Sequence, residues 1–179
     1  MKKLILLLLI ISINACKNPE KLRTSTYKGS EILVGKAKKK DFEKAPYKKW
    51  FVENFNDYQP DTKTISQLKK VINNYKITVV MGTWCGDSRE QVPKLYKILE
   101  QTGYNNHNLD MFCVYRKYKY YKPVQKYNII RVPTIIVYQN GKEKGRIIEY
   151  PMQSIEADLL KIMTTDNYLH ELNDYSKTN

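Results

Sequence analysis

The chain of 179 residues carries 31 Lys and Arg against 18 Asp and Glu, a formal charge of +13, and 42% of its residues are hydrophobic. That apolar content supports a packed core and excludes general disorder, and the length suits one domain with a short excess. Three cysteines are too few for a disulfide scaffold or a four-thiolate zinc site. His107 and His170 stand far from each other and neither adjoins a cysteine, so no metal and no cofactor is expected. The charge admits a nucleic-acid reading. A/T-rich codon usage accounts for it equally, since Lys, Ile, Tyr and Asn are all abundant.

Met1-Lys2-Lys3 is a short basic start, and residues 4–11 form an unbroken apolar run that continues through Ser12 to Ile13. The run is too short to span a bilayer and suits the h-region of a signal peptide. Ile13-Asn14-Ala15-Cys16 follows. A small residue before a cysteine at this place resembles the lipobox of bacterial lipoproteins, although Asn14 is unusual within one. The resemblance implies a signal peptide over residues 1–15, cleavage before Cys16 and acyl chains on Cys16. The protein is then anchored to a membrane of the bacterial cell envelope, facing the periplasm or the outside. Export also removes nucleic acid from the expected partners. An ordinary secretory signal with an incidental cysteine is the plainer alternative.

Residues 16–30 are polar and aperiodic and predict a flexible tether. Residues 31–61 read as an N-terminal extension, with a short edge strand over 31–36 and a helix opened by Pro46 that carries Trp50, Phe51 and Phe55 on one stripe. Residues 36–49 hold seven lysines and two acids. After Thr64, a predicted N-cap, Ile65, Leu68, Val71 and Ile72 share a helical face. Residues 77–81 are β-rich without clean alternation, the pattern of a strand buried on both faces. A turn over 82–87 leads to a helix over 88–101, with Val92, Leu95, Ile98 and Leu99 on one side, stopped by Gly103. A second buried strand covers 109–115 and a short helix 123–128. Strands over 135–138 and 146–150 flank the hairpin signal Asn140-Gly141. Ser154 caps a last helix that carries Ile155, Leu159 and Ile162. Residues 166–179 are a polar tail. This order predicts an α/β fold, a mixed central sheet with helices on both faces.

Cys85 lies in Thr83-Trp84-Cys85-Gly86-Asp87-Ser88-Arg89-Glu90, between a buried strand and a helix. Unpaired N–H groups and the positive dipole end favour a thiolate there. Ser88, one turn on, is placed to donate a hydrogen bond to it. Arg89 favours the anion, and Asp87 and Glu90 oppose it. These residues resemble the thioredoxin superfamily. Trp84-Cys85-Gly86 at a strand-to-helix turn, Pro93 within the following helix, Val132-Pro133-Thr134 before the hairpin, and Asn140-Gly141 in its turn occur in family order across residues 62–165. GTWCGDSRE, RVPT and GRIIEYP together look like exported thioredoxin-like lipoproteins. The resemblance implies a thioredoxin-like three-layer fold and a cis Val132–Pro133 bond. It also implies a substrate groove shaped by Trp84, Gly86 and Pro133, and a Val132 backbone offering hydrogen bonds to an extended peptide. Trp84 also has a plainer reading, as a core residue.

The chain departs from the family twice: Ser88 replaces the second cysteine of Cys-x-x-Cys, and Val79 stands where the family has a buried Asp. Serine cannot attack a mixed disulfide, so an adduct on Cys85 must wait for an external thiol reductant. Three readings follow. Cys85 is a monothiol that exchanges with thiols or disulfides of exported proteins; or the domain is a non-catalytic module that binds an extended peptide; or Cys113 resolves Cys85. The last is disfavoured, because Cys113 reads as a buried mid-strand residue beyond disulfide reach. Residues 115–126 hold five cations and no acid. They follow the second buried strand, and loops at the C-terminal ends of parallel strands converge on the ligand crevice. Arg116, Lys117 and Tyr118 are therefore expected at a cationic rim of Cys85, with a merely solvated basic loop as the alternative.

Overall fold

The computed structural model describes residues 18, 20–166 and 168. Its strands are β1 (Arg23–Tyr27), β2 (Ser30–Lys36), β3 (Lys76–Met81), β4 (Leu109–Cys113), β5 (Thr134–Gln139) and β6 (Lys142–Ile148). They form one sheet of order β1-β2-β4-β3-β5-β6. β3 and β4 are parallel and every other neighbouring pair is antiparallel. The helices are α1 (Lys39–Phe42), α2 (Lys48–Asp57), α3 (Thr62–Leu68), α4 (Gly86–Thr102), α5 (Lys122–Gln125) and α6 (Ile155–Thr164).

Successive strand residues point to opposite faces. In β3, Ile77, Val79 and Met81 enter one cluster with Phe51, Leu68, Leu95 and Leu159 of the helices. Val80 enters a second cluster on the other face, with Ile32, Val34, Phe112, Val124 and Ile136. Both faces of β3 are covered, which is why its sequence shows no polar alternation. The result is the mixed three-layer α/β architecture expected from the sequence.

Three local expectations are corrected. Residues 23–30 are a strand and a turn, not a tether: β1 pairs with β2 from Arg23 opposite Val34 to Tyr27 opposite Ser30, and Lys28 and Gly29 turn at φ 48° and 78°. Four of the five β1 side chains are exposed, so no apolar period marks the strand; Thr, Ser and Tyr carry it by β-propensity alone. β2 is consequently not an edge, since β1 covers it. The N-cap of α3 is Asp61, whose carboxylate accepts from Thr64 N–H at 2.7 Å. The hairpin follows expectation: Asn140 and Gly141 take φ 50° and 78°, the left-handed pair that a two-residue turn matches to strand twist. Residues 1–15, Cys16 and residues 169–179 lie outside the described residues.

Candidate functional site

Cys85 is the N-cap residue of α4, so that helix starts two residues earlier than predicted and aims its positive end at the thiol. The turn that carries it is pinned on several sides. Cys85 N–H donates to the Gly82 carbonyl at 2.9 Å. Thr83 Oγ1 accepts from Leu33 N–H at 3.1 Å, which ties the turn to β2. Trp84 folds back over Gly82, where an added Cβ would lie 2.5 Å from the indole. Trp84 Nε1 donates to the Val114 carbonyl at 2.8 Å, and its ring meets Tyr27 at 5.8 Å and the Arg116 guanidinium at 5.6 Å. The indole is half-buried, so it serves both as packing and as a cleft wall.

The Cys85 thiol has two acceptors: the Val132 carbonyl at 3.3 Å and Asp87 Oδ2 at 3.8 Å. The Val132–Pro133 bond is cis, as the resemblance implies. The ladder of β5 begins at Thr134, so the Val132 backbone lies outside it, on the cleft side. A cleft of about 370 Å³ opens at the thiol, between Trp84, Arg116 and Tyr118 on one side and Arg131, Val132 and Glu149 on the other. Arg131 and Glu149 pair at 2.8 Å. Tyr118 donates to the Ile130 carbonyl at 2.7 Å, and burial pushes its phenol pKa up. The charges of Asp87 and Glu149 raise that of Tyr150, which places Tyr150 at the same rim.

Of the residues singled out in the sequence, Trp84, Cys85, Val132, Arg116 and Tyr118 meet around the cleft. Asp87 touches the thiol from α4, Gly86 is the exposed first residue of that helix, and Pro133 is buried behind Val132. Three do otherwise. Ser88 is fully buried and accepts from Gly82 N–H at 3.2 Å, so its oxygen braces the turn, where a bond to the thiolate was expected. Arg89 turns away, donating to the Thr83 carbonyl at 2.7 Å beside Trp50. Lys117 is exposed and outside the cleft lining. Arg131, Glu149 and Tyr150 were missed. The hairpin register held the signal: Thr134 opposite Ile148 carries the chain on to Pro133 beside Glu149, whose N–H donates to the Pro133 carbonyl at 2.8 Å.

Cys113 belongs to the larger cluster, on the opposite side of the sheet from the one Cys85 packs against. It is wholly buried, and burial pushes its thiol pKa far up.

A strand-to-helix turn that presents a thiol to a cis-proline loop, on a mixed sheet of this order, defines a thioredoxin-class protein. A family model described as Thioredoxin matches residues 38–175, and the chain belongs to that family. No curated protein matches it. Among solved structures, it is similar to a Pseudomonas aeruginosa protein of unknown function (14% identity, 72% of this chain and 73% of that one, TM-score 0.43). It is also similar to Trxlp of Edwardsiella tarda (20% identity, 59% and 96%, TM-score 0.39). A third is the reduced thioredoxin pre-protein of Schistosoma mansoni (26% identity, 51% and 81%, TM-score 0.30).

Proposed function

We propose that this thioredoxin-like protein carries out thiol–disulfide exchange through the single nucleophile Cys85. The observation that carries the reading is a half-exposed thiol at a helix N-terminus, opening into a cleft beside a cis-proline carbonyl. The Cys85 proton passes to Asp87 or water, and the thiolate attacks one sulfur of a partner disulfide. A new S–S bond to Cys85 forms, the old S–S bond breaks, and its electron pair leaves on the other sulfur as a thiolate. With Ser88 one turn on and Cys113 across the sheet, an external thiol must then attack the mixed disulfide and return Cys85. The partner chain lies along Val132, and the exported proteins that bear its disulfide are the substrates.

Adducts should therefore accumulate. Mass spectrometry of the protein after exposure to oxidised glutathione, and to disulfide-bearing envelope proteins, is expected to find Cys85 in mixed disulfide. Ser88→Cys is expected to clear those adducts. Absence of any Cys85 adduct in the wild type sinks the exchange reading. The alternative is a non-catalytic module that grips an extended peptide. Its support is the cleft itself, where the Val132 backbone lies outside the β5 ladder and beside the thiol.

The same reading anchors the protein to a bacterial envelope membrane through acyl chains on Cys16, supported by the apolar run before it. Among the described residues no helix is long and apolar enough to cross a membrane. Labelled palmitate should enter the wild type but not Cys16→Ala; no incorporation in the wild type ends the claim.

A further inference from the structure

A second cavity lies away from Cys85. It occupies about 530 Å³ at the opposite end of β3, on the face of the smaller hydrophobic cluster. That volume falls in the range of small-molecule sites. Lys76 pairs with Tyr138 and Thr78 with Ile136 in the sheet, so Thr78 and Tyr138 stand side by side on this face. Tyr127, after α5, and the amides of Asn74, Asn108 and Asn140 complete the wall.

The polar groups of this wall face the cavity. Thr78 is 1% exposed, and its hydroxyl makes no hydrogen bond among the described residues. That hydroxyl is not among the fully buried unpaired atoms, so it reaches the cavity, where water or a ligand satisfies it. The phenol hydroxyls of Tyr127 and Tyr138 and the side-chain amides of Asn74, Asn108 and Asn140 are likewise without protein partners among the described residues. Burial raises the Tyr138 pKa to about 12, so that hydroxyl stays neutral. No carboxylate lines the cavity. Of its lysines, Lys76 pairs with Asp110 at 2.7 Å, and Lys126 is exposed and lies 5.0 Å from the Tyr127 ring centre. The cavity thus offers mainly neutral groups that both donate and accept, beside tyrosine rings, with Lys126 at its edge.

We propose that this cavity is a second ligand site, taking a neutral polyhydroxylated ligand of the sugar class, with acetamido groups suited to the asparagine amides. Hydroxyls that both donate and accept match Thr78, Tyr127 and Tyr138, and the C–H face of a sugar ring packs on a tyrosine. A charged ligand would have to compete with Asp110 for Lys76.

The test is a titration of the ¹⁵N-labelled full chain with N,N′-diacetylchitobiose, followed by amide chemical shifts. Saturable millimolar binding is expected, with shifts at Thr78, Tyr127, Tyr138 and Asn140. Thr78→Val and Tyr138→Phe keep shape and remove one hydroxyl each, and each should weaken binding about fivefold, as for one hydrogen bond of about 1 kcal/mol. Their amide spectra report whether they fold. Cys85→Ala should bind like the wild type, which separates this site from the exchange reading. Three results overturn the proposal: no saturable shift, shifts centred on Cys85, or equal shifts with glycerol. Binding of inorganic phosphate in place of the sugar overturns it as well.

Discussion

At the scale of single residues, the two cysteines among the described residues differ by burial. Cys85 opens on the cleft, and Cys113 is 0% exposed in the larger core. Iodoacetamide at neutral pH should label Cys85 in the native protein and leave Cys113 untouched until denaturant is added; peptide mapping checks this. Native labelling of Cys113 at a comparable rate would revive it as a resolving thiol. Gly82 is the second residue whose role is sharply defined. A methyl group there meets the Trp84 ring at 2.5 Å, so Gly82→Ala must push the indole off its place and away from the Val114 carbonyl. Overpacking of this kind costs about 1–3 kcal/mol. The expected outcome is a lowered denaturation midpoint together with an altered near-UV signal of Trp84. An unchanged midpoint and signal would mean that the indole does not lie over Gly82.

At the scale of elements, three strands are tied by one carboxylate. Asp110 of β4 pairs with Lys36 of β2 at 2.5 Å and with Lys76 of β3 at 2.7 Å. Burial alone would raise the Asp110 pKa, but hydrogen bonds and charge from the two lysines outweigh it and hold the carboxyl below its ordinary value. The folded state therefore releases this proton at lower pH than the unfolded chain does. Its contribution to stability is complete above the unfolded carboxyl's pKa of about 3.9 and is lost as pH falls through the lower folded value. Both lysines are about half exposed, so solvent screening limits the contribution to about 1 kcal/mol. Asp110→Asn should lower the unfolding free energy from urea titration at pH 7 by that amount, with a lower midpoint, and flatten the loss of stability below pH ~4. An equal midpoint at pH 7 would show the triad to be without net effect.

At the scale of the whole molecule, what was legible in the sequence follows the strength of each physical signal. β3 was read from a continuous β-rich apolar run, α4 and α6 from their apolar period and end signals, and the β5–β6 hairpin from its Asn-Gly turn. The cleft was half read: Trp84, Cys85 and Val132 belong to motifs, and Arg116 and Tyr118 follow a buried strand. Arg131, Glu149 and Tyr150 arrive only through sheet register, which no local pattern states. Ser88 was expected to donate to the thiolate; its oxygen accepts from Gly82 N–H, and sequence spacing does not say which way its hydroxyl turns. β1 was lost because an exposed polar strand has no hydrophobic period to read.

That last omission bears on where the folding unit begins. The family match starts at residue 38, yet the sheet starts at Arg23. β2 supplies Ile32, Leu33 and Val34, exposed by 1%, 5% and 1%. It also pairs with β4 at Gly35 opposite Cys113 and donates Leu33 N–H to Thr83 in the turn that carries Cys85. Burying three such side chains contributes roughly 5–9 kcal/mol at about 1.5–3 each. A domain of this size has only about 5–15 kcal/mol of net stability. A chain that begins at Asn18 should therefore unfold cooperatively, whereas one that begins at Lys38 should lose its cooperative transition and expose the β4 edge to self-association. Thermal unfolding and size-exclusion chromatography of the two chains check this. A Lys38 chain that stays monomeric and unfolds within about 1 kcal/mol of the longer one would place β1 and β2 outside the folding unit, and would leave the Cys85 turn supported by α4 and β3 alone.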